Sequence, residues 1–135
     1  MFITETSIRV RYAETDQMGY VYYGNYAQYF EVGRVESLRK LGLTYKQMED
    51  SGIMLPVFSY SIKYFKPAYY DDNLIIRTIV KETPLSRITF EYETLNEQAE
   101  LLNKAETVLV FINRQTKKPC KAPKELVDKI SEMIK

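Results

Sequence analysis

One segment of helical period, followed by four runs of period two with short connections, constrains this chain most. A lone long helix can bury its apolar stripe only against the sheet that those runs build. Residues 24 to 41 place Tyr26, Tyr29, Phe30, Gly33, Ser37, Leu38 and Leu41 at helical spacing. Asn25 with Gln28 predicts a capping box at the start of this helix, while Arg39 and Lys40 suit its last turn and Gly42 the position beyond it. Thr44 with Gln47 predicts a second capping box, for a short helix ending at Gly52. The grammar then changes. Residues 54 to 66 put Phe58, Tyr60, Ile62 and Tyr64 on one face, residues 74 to 82 follow an Asp-Asp-Asn turn, and residues 86 to 95 set Ile88, Phe90 and Tyr92 opposite Arg87, Thr89, Glu91 and Glu93. A turn at residues 96 to 98 leads into residues 105 to 113, rich in β-branched and aromatic side chains. The four runs predict an antiparallel meander.

Residues 7 to 12 alternate Ile8 and Val10 against Arg9 and Arg11 and predict a first strand. Pro123 opens a terminal amphipathic helix with Leu126, Val127, Ile130, Met133 and Ile134 on one stripe. The expected fold class is α+β, one long helix on a five-stranded antiparallel sheet, in a single domain over residues 1–135. Gly33, inside the long helix, should cost about 1 kcal/mol relative to Ala. Its presence predicts close approach of the helix to a sheet or to another chain.

Composition then removes whole classes of chemistry. The chain has 0 His, which excludes Ser-His-Asp and Cys-His catalysis, imidazole bases and His-dependent metal motifs. Its single Cys120 forms neither an internal disulfide nor a thiolate zinc site. The N-terminus MFITETSIRV carries Glu5 and no basic flank, and no apolar run approaches bilayer length, so the expectation is a soluble, reduced, cytoplasmic protein with no membrane association. A net charge of +1 argues against a polyanion binder, although residues 114 to 124 hold Arg114, Lys117, Lys118, Lys121 and Lys124 with no acid. The glycine spacing matches neither a phosphate loop nor a dinucleotide fingerprint, and no G-x-S-x-G elbow occurs. Tyr60, Tyr64, Phe90 and Tyr92 could present rings to a nucleic acid, but their alternation with charged residues is that of a core face, so no nucleic-acid partner is expected.

What is left is carboxylate chemistry. Asp16 stands between a strand and the long helix in ETDQMGYVYYGNY. The first N–H groups of a helix lack intrahelical partners and carry partial positive charge, so they can polarise a carbonyl and hold an oxyanion. An adjacent carboxylate supplies a nucleophile or a base for water. From pattern alone two roles stay open for Asp16, cap of its own loop or reactive group.

The segment VRYAETDQMGYVYYGNYAQYFEVGR, residues 10 to 34, closely resembles the 4-hydroxybenzoyl-CoA thioesterase-like branch of the hotdog-fold acyl-CoA thioesterases. The likeness runs through Asp16, Gly19, Val21, Tyr22, Asn25, Tyr26, Glu31 and Arg34 in order, and FKPAYYDDNL, residues 65 to 74, is similar to a second segment of that family. The resemblance implies hydrolysis of an acyl-CoA, or of a carrier-protein thioester, with no metal and no cofactor. Asp16 would be the catalytic carboxylate, as nucleophile or general base, and the backbone N–H of Tyr23 would polarise the thioester carbonyl. Gly24 and Tyr26 would bind substrate, and Glu31 would either line the acyl pocket or pair with Arg34 on the helix surface. Lys63, Lys66, Arg87 and the cluster at 117 to 121 are the candidates for CoA phosphates. Tyr23 stands where relatives often carry His, and Tyr69 where Arg is frequent, so a side-chain role at Tyr23 is not carried over. The resemblance also implies an edge-to-edge homodimer, or a homotetramer, with the site between protomers. A second reading of the same groove is a non-catalytic acyl-CoA binding or sensing module. A hotdog hydratase, whose chemistry uses His, is set aside by composition.

Overall fold

The computed structural model describes residues 1–134. Strand β1 (Phe2–Arg9) leads through a short 3-10 turn at Tyr12–Glu14 and a second at Tyr23–Asn25 into helix α1 (Tyr26–Lys40) and helix α2 (Tyr45–Asp50). Strands β2 (Ile53–Met54), β3 (Val57–Tyr64), β4 (Asn73–Val80), β5 (Arg87–Leu95), β6 (Leu101–Val110) and β7 (Ile112–Asn113) follow, and α3 (Lys124–Ile134) ends the described chain. The main sheet has five strands in the order β1-β4-β5-β6-β3, all neighbours antiparallel, and β2 pairs with β7 in a small separate ladder. The expected α+β class, five-stranded sheet and long helix are all present.

Every residue assigned to the helical stripe, from Tyr26 to Leu41, is buried. Gly33 explains how α1 seats so closely. A Cβ there would stand 2.6 Å from Thr78 Oγ1 and 3.1 Å from Ile76 Cγ2, both on β4. On the same side of the sheet Leu74, Ile76, Ile88, Phe90 and Leu109 lie at 1% exposure or less, since alternate residues of antiparallel strands share one face. Gly42 adopts φ +79 just past α1, as its position predicted, and Thr44 and Gln47 form the expected reciprocal cap of α2.

Five expectations need correction. The first strand spans Phe2–Arg9 rather than 7 to 12, because all eight residues find partners on β4, after which Val10 exchanges backbone hydrogen bonds with Asp71 and Asp72 and the chain leaves the sheet. The four runs are not one meander: β1 occupies the free edge of β4, so β3 sits at the far edge beside β6 and residues 65 to 72 cross from that edge to β4. The flanks of two expected runs become the separate ladder of β2 and β7, and β6 itself begins at Leu101. Phe58 does not share the face of Tyr60, because the register shifts between Val57 and Ser59 and the Phe58 ring lies under the Arg87 guanidinium at 4.9 Å. The predicted cap between Asn25 and Gln28 is also absent. Asn25 Nδ2 donates instead to the Glu14 carbonyl, 2.9 Å away.

Replacing Gly33 by Ala adds about 1 kcal/mol of helix propensity, yet forces a methyl into fully buried Thr78 and Ile76, an overpacking worth about 1–3 kcal/mol. Gly33→Ala should therefore lower the urea midpoint. An unchanged or raised midpoint would show that α1 can lift from β4 without cost.

Candidate active site

The segment from Glu14 to Tyr22 folds back on itself as a tight hairpin. Tyr22 N–H donates to the Glu14 carbonyl at 2.8 Å, Asp16 N–H to the Tyr20 carbonyl at 2.8 Å, and Gly19, at φ +82, closes the turn. The crossover segment pins this hairpin, since Val21 N–H donates to the Ala68 carbonyl at 2.9 Å and Tyr20 bridges to Tyr69. Asp16 Oδ1 accepts from the N–H groups of Met18 (2.9 Å) and Tyr20 (3.3 Å), so Asp16 does organise its own loop. Oδ2 accepts no hydrogen bond among the described residues.

Asp16 and Tyr23 line one cavity of about 460 Å³, together with Met18, Tyr20, Val21, Tyr26, Tyr64, Phe65, Lys66 and Pro67. Its wall is mainly aromatic. The buried ring of Tyr26 meets Tyr64 at 5.8 Å and Tyr29 edge-on at 5.7 Å, and burial pushes the Tyr26 phenol up to about 12. Tyr23 begins the 3-10 turn that feeds α1; neither its N–H nor that of Gly24 has a partner among the described residues, as the first groups of a helical turn do not. These donors, the Asp16 carboxylate and an apolar wall are the parts that acyl transfer requires.

The cavity gathers Asp16, Tyr23, Tyr26 and Lys66 and leaves the other expected residues outside it. Lys66 is held by an ion pair with Glu100. Gly24 does not line the cavity; its bare Cα makes room for the Tyr22 ring, whose Cε2 would lie 2.8 Å from an added Cβ. Glu31 is exposed on α1 and does not pair with Arg34. Arg34 is buried, not on the helix surface, and donates to the phenol oxygens of Tyr45 (3.2 Å) and Tyr92 (3.1 Å). Lys63 lies 5.8 Å over the Phe65 ring, and Arg87 borders a separate concavity with Lys81, Glu82 and Thr89. The 117 to 121 cluster sits on the turn after β7 and lines no part of the Asp16 cavity. Met18, Tyr20, Val21, Tyr64, Phe65 and Pro67 were not anticipated as lining: residues 65 to 74 carry the second resemblance, but nothing local says that they come to rest beside Tyr20.

Glu14 is the other unanticipated residue. Burial works to raise its carboxyl, but hydrogen bonds from Arg11 N–H, the Tyr29 phenol and the Arg11 guanidinium outweigh it and hold the group below its ordinary value of 4.5. Among the described residues no cluster of His, Cys, Asp or Glu is placed to hold a metal, and no helix is long and apolar enough to cross a membrane.

The sequence model of the thioesterase-like superfamily matches residues 10–130. The protein YneP of Bacillus subtilis is 34% identical over 128 residues, covering 95% of this chain and 93% of that one. Acyl-CoA thioester hydrolase YbgC of Escherichia coli is 30% identical over 120 residues, covering 89% and 90%. Among solved structures, DHNA-CoA thioesterase from Staphylococcus aureus superposes with a TM-score of 0.93 at 36% identity, over 98% of this chain and 91% of that one.

A carboxyl with a lowered folded pKa adds stability that is complete above its unfolded value near 4.5 and disappears as pH falls through the folded value. The difference in unfolding free energy between wild type and Glu14→Gln should thus be constant above about pH 6 and shrink below pH 4.5. Urea unfolding across that range checks it, and a difference that does not change with pH would remove the charge from the account.

Proposed function

Because the chain belongs to the thioesterase-like superfamily and is an acyl-CoA thioester hydrolase, we propose that the Asp16 carboxylate and the first N–H groups of the α1 entry turn carry out the cleavage. The observation that carries this reading is the shared cavity: Asp16 and Tyr23 face one apolar space at the start of the helix. The acyl group enters between Val21, Tyr26, Tyr64 and Phe65, and its carbonyl oxygen accepts from the Tyr23 N–H. As the carbonyl carbon becomes tetrahedral, negative charge grows on that oxygen, where an unpartnered donor at a helix start is most effective. Asp16 acts in one of two ways. It attacks the carbonyl carbon and expels CoA thiolate, giving a mixed anhydride that water then opens, or it takes a proton from the water that attacks. Both routes end in free acid and CoA, and neither needs an imidazole in a chain with 0 His.

The working unit we propose is a homodimer of 1–135 thioesterase domains in the reduced cytoplasm. Supporting this is β3, a sheet edge along which Val57, Tyr60, Tyr64 and the following Phe65 are 39% to 49% exposed. A long apolar edge is a template for strand pairing. The Tyr64 end of that edge borders the Asp16 cavity, so a partner strand would also wall the site. Within one protomer Lys63 and Arg87 lie outside the cavity, and Arg87 reaches the β3 edge through its contact with Phe58.

Asp16→Asn keeps the size and removes the charge. Turnover on a preferred acyl-CoA, drawn from short, branched, long and aromatic chains, should fall about a hundredfold or more while the fold holds, as followed by thiol release. Near-normal release would remove Asp16 from the mechanism, whereas acyl-CoA binding without release by the wild type would favour a sensing module. For the assembly, Ser59→Lys with Ser61→Lys adds cations to the β3 edge beside Lys63, and light scattering should then report half the wild-type mass; an unchanged mass would place the contact elsewhere.

A further inference from the structure

Glu14 takes no part in the chemistry above, yet no other residue in the loop is so heavily engaged. It is 7% exposed, and each of its three oxygens accepts two hydrogen bonds. Oε1 accepts from Arg11 N–H (2.9 Å) and from the Tyr29 phenol (2.8 Å), and Oε2 from Arg11 Nε (3.1 Å) and Nη2 (3.0 Å). Its carbonyl oxygen accepts from Tyr22 N–H (2.8 Å) and Asn25 Nδ2 (2.9 Å).

These contacts tie the end of β1, the Asp16 hairpin and the start of α1 to one residue. Arg11 marks where the chain has left β1, Tyr29 lies in the first turn of α1, and Tyr22 and Asn25 flank the turn that carries the Tyr23 and Gly24 N–H groups. Asp16 lies two residues from Glu14, across the Thr15 to Val21 bridge of the hairpin. A buried carboxylate is tolerated only when its oxygens are satisfied, so the donors must hold their places, and Glu14 in turn holds them. On the active-site reading given above, we propose that Glu14 is a positioning residue, which locks the Asp16 hairpin to the start of α1 so that carboxylate and N–H donors converge on one thioester.

The test is a double-mutant cycle of Glu14→Gln and Asp16→Asn, read by single-turnover and steady-state thiol release beside thermal melting. Glutamine matches the size of glutamate but turns an amide N–H₂ toward one set of donors. In the wild-type background, Glu14→Gln should lower kcat about 10- to 100-fold with KM changed less than about threefold, since displacing a reactive group by an ångström costs on that scale. In the Asp16→Asn background it should lower the residual rate by less than about twofold, because the group it positions is already gone. Glu14→Asp, which keeps the charge, should give a kcat between those of Glu14→Gln and wild type. Should Glu14→Gln fail to fold, Tyr29→Phe, which removes one donor to Oε1 and keeps the ring against Tyr26, takes its place in the cycle under the same criteria.

A folded Glu14→Gln with kcat within about twofold of wild type overturns the proposal. So does an equal loss in both backgrounds, which is the signature of a purely structural role. If Asp16→Asn alone keeps near-normal turnover, the active-site reading fails and takes this inference with it; an inactive Asp16→Asn with additive losses defeats this inference only.

Discussion

The close seating of α1 on β4 is the constraint from which the rest of the molecule follows. With only a hydrogen at Gly33, the helix backbone comes near enough to Thr78 and Ile76 for one helix to cover the buried face of the sheet. That contact also aims the helix. Its entry turn arrives beside the crossover between β3 and β4, so the unpartnered N–H groups of Tyr23 and Gly24 lie where the Asp16 hairpin is pinned by Ala68 and Tyr69. A helix held further out would keep its dipole and lose its target.

From that seat a column of rings connects core to cavity. Phe90 stacks with Tyr92 at 6.4 Å, Tyr92 with Phe30 at 4.6 Å, Phe30 with Tyr26 at 6.3 Å, and Tyr26 lines the cavity. Arg34 anchors the column at Tyr92. Burial opposes its charge, but the phenol oxygens of Tyr92 and Tyr45 more than offset that, so the guanidinium stays protonated with no carboxylate partner among the described residues. Tyr92 is held in turn by Thr107 at 2.6 Å, and burial raises its phenol to about 12. A cavity wall backed by stacked rings and a hydrogen-bonded cation has few ways to rearrange.

Legibility divides by range. The stripe from Tyr26 to Leu41, the cap of Thr44 with Gln47, Gly42 at its positive φ and the buried face of β5 could all be read, because each depends on residues within a few positions of one another. Asp16 and Tyr23 were legible through the motif that carries the resemblance, and the structure sets them on one cavity. Arg87 and Glu31 matched by residue type and position but lie outside that cavity, since residue type does not say which side of a sheet or helix a group will face. Glu14 was missed for a related reason: its partner Tyr29 is 15 residues away, and an acid before Thr15 and Asp16 carries no sign that it will be buried.

The sequence by itself determined the element types, the α+β class, the exclusion of imidazole chemistry and the pairing of a carboxylate with a helix start. These rest on periodicity, composition and a contiguous motif, all encoded locally. Only the tertiary structure decided that β3 takes the far edge beside β6, that Phe58 turns under Arg87, that Arg34 is buried between phenols, and that Glu14 clamps the hairpin to α1. Those outcomes depend on strand register and on contacts distant in the chain. They are settled when β1 claims the edge of β4 and α1 seats at Gly33; the glycine signals a close approach, but no local pattern says which strand it meets.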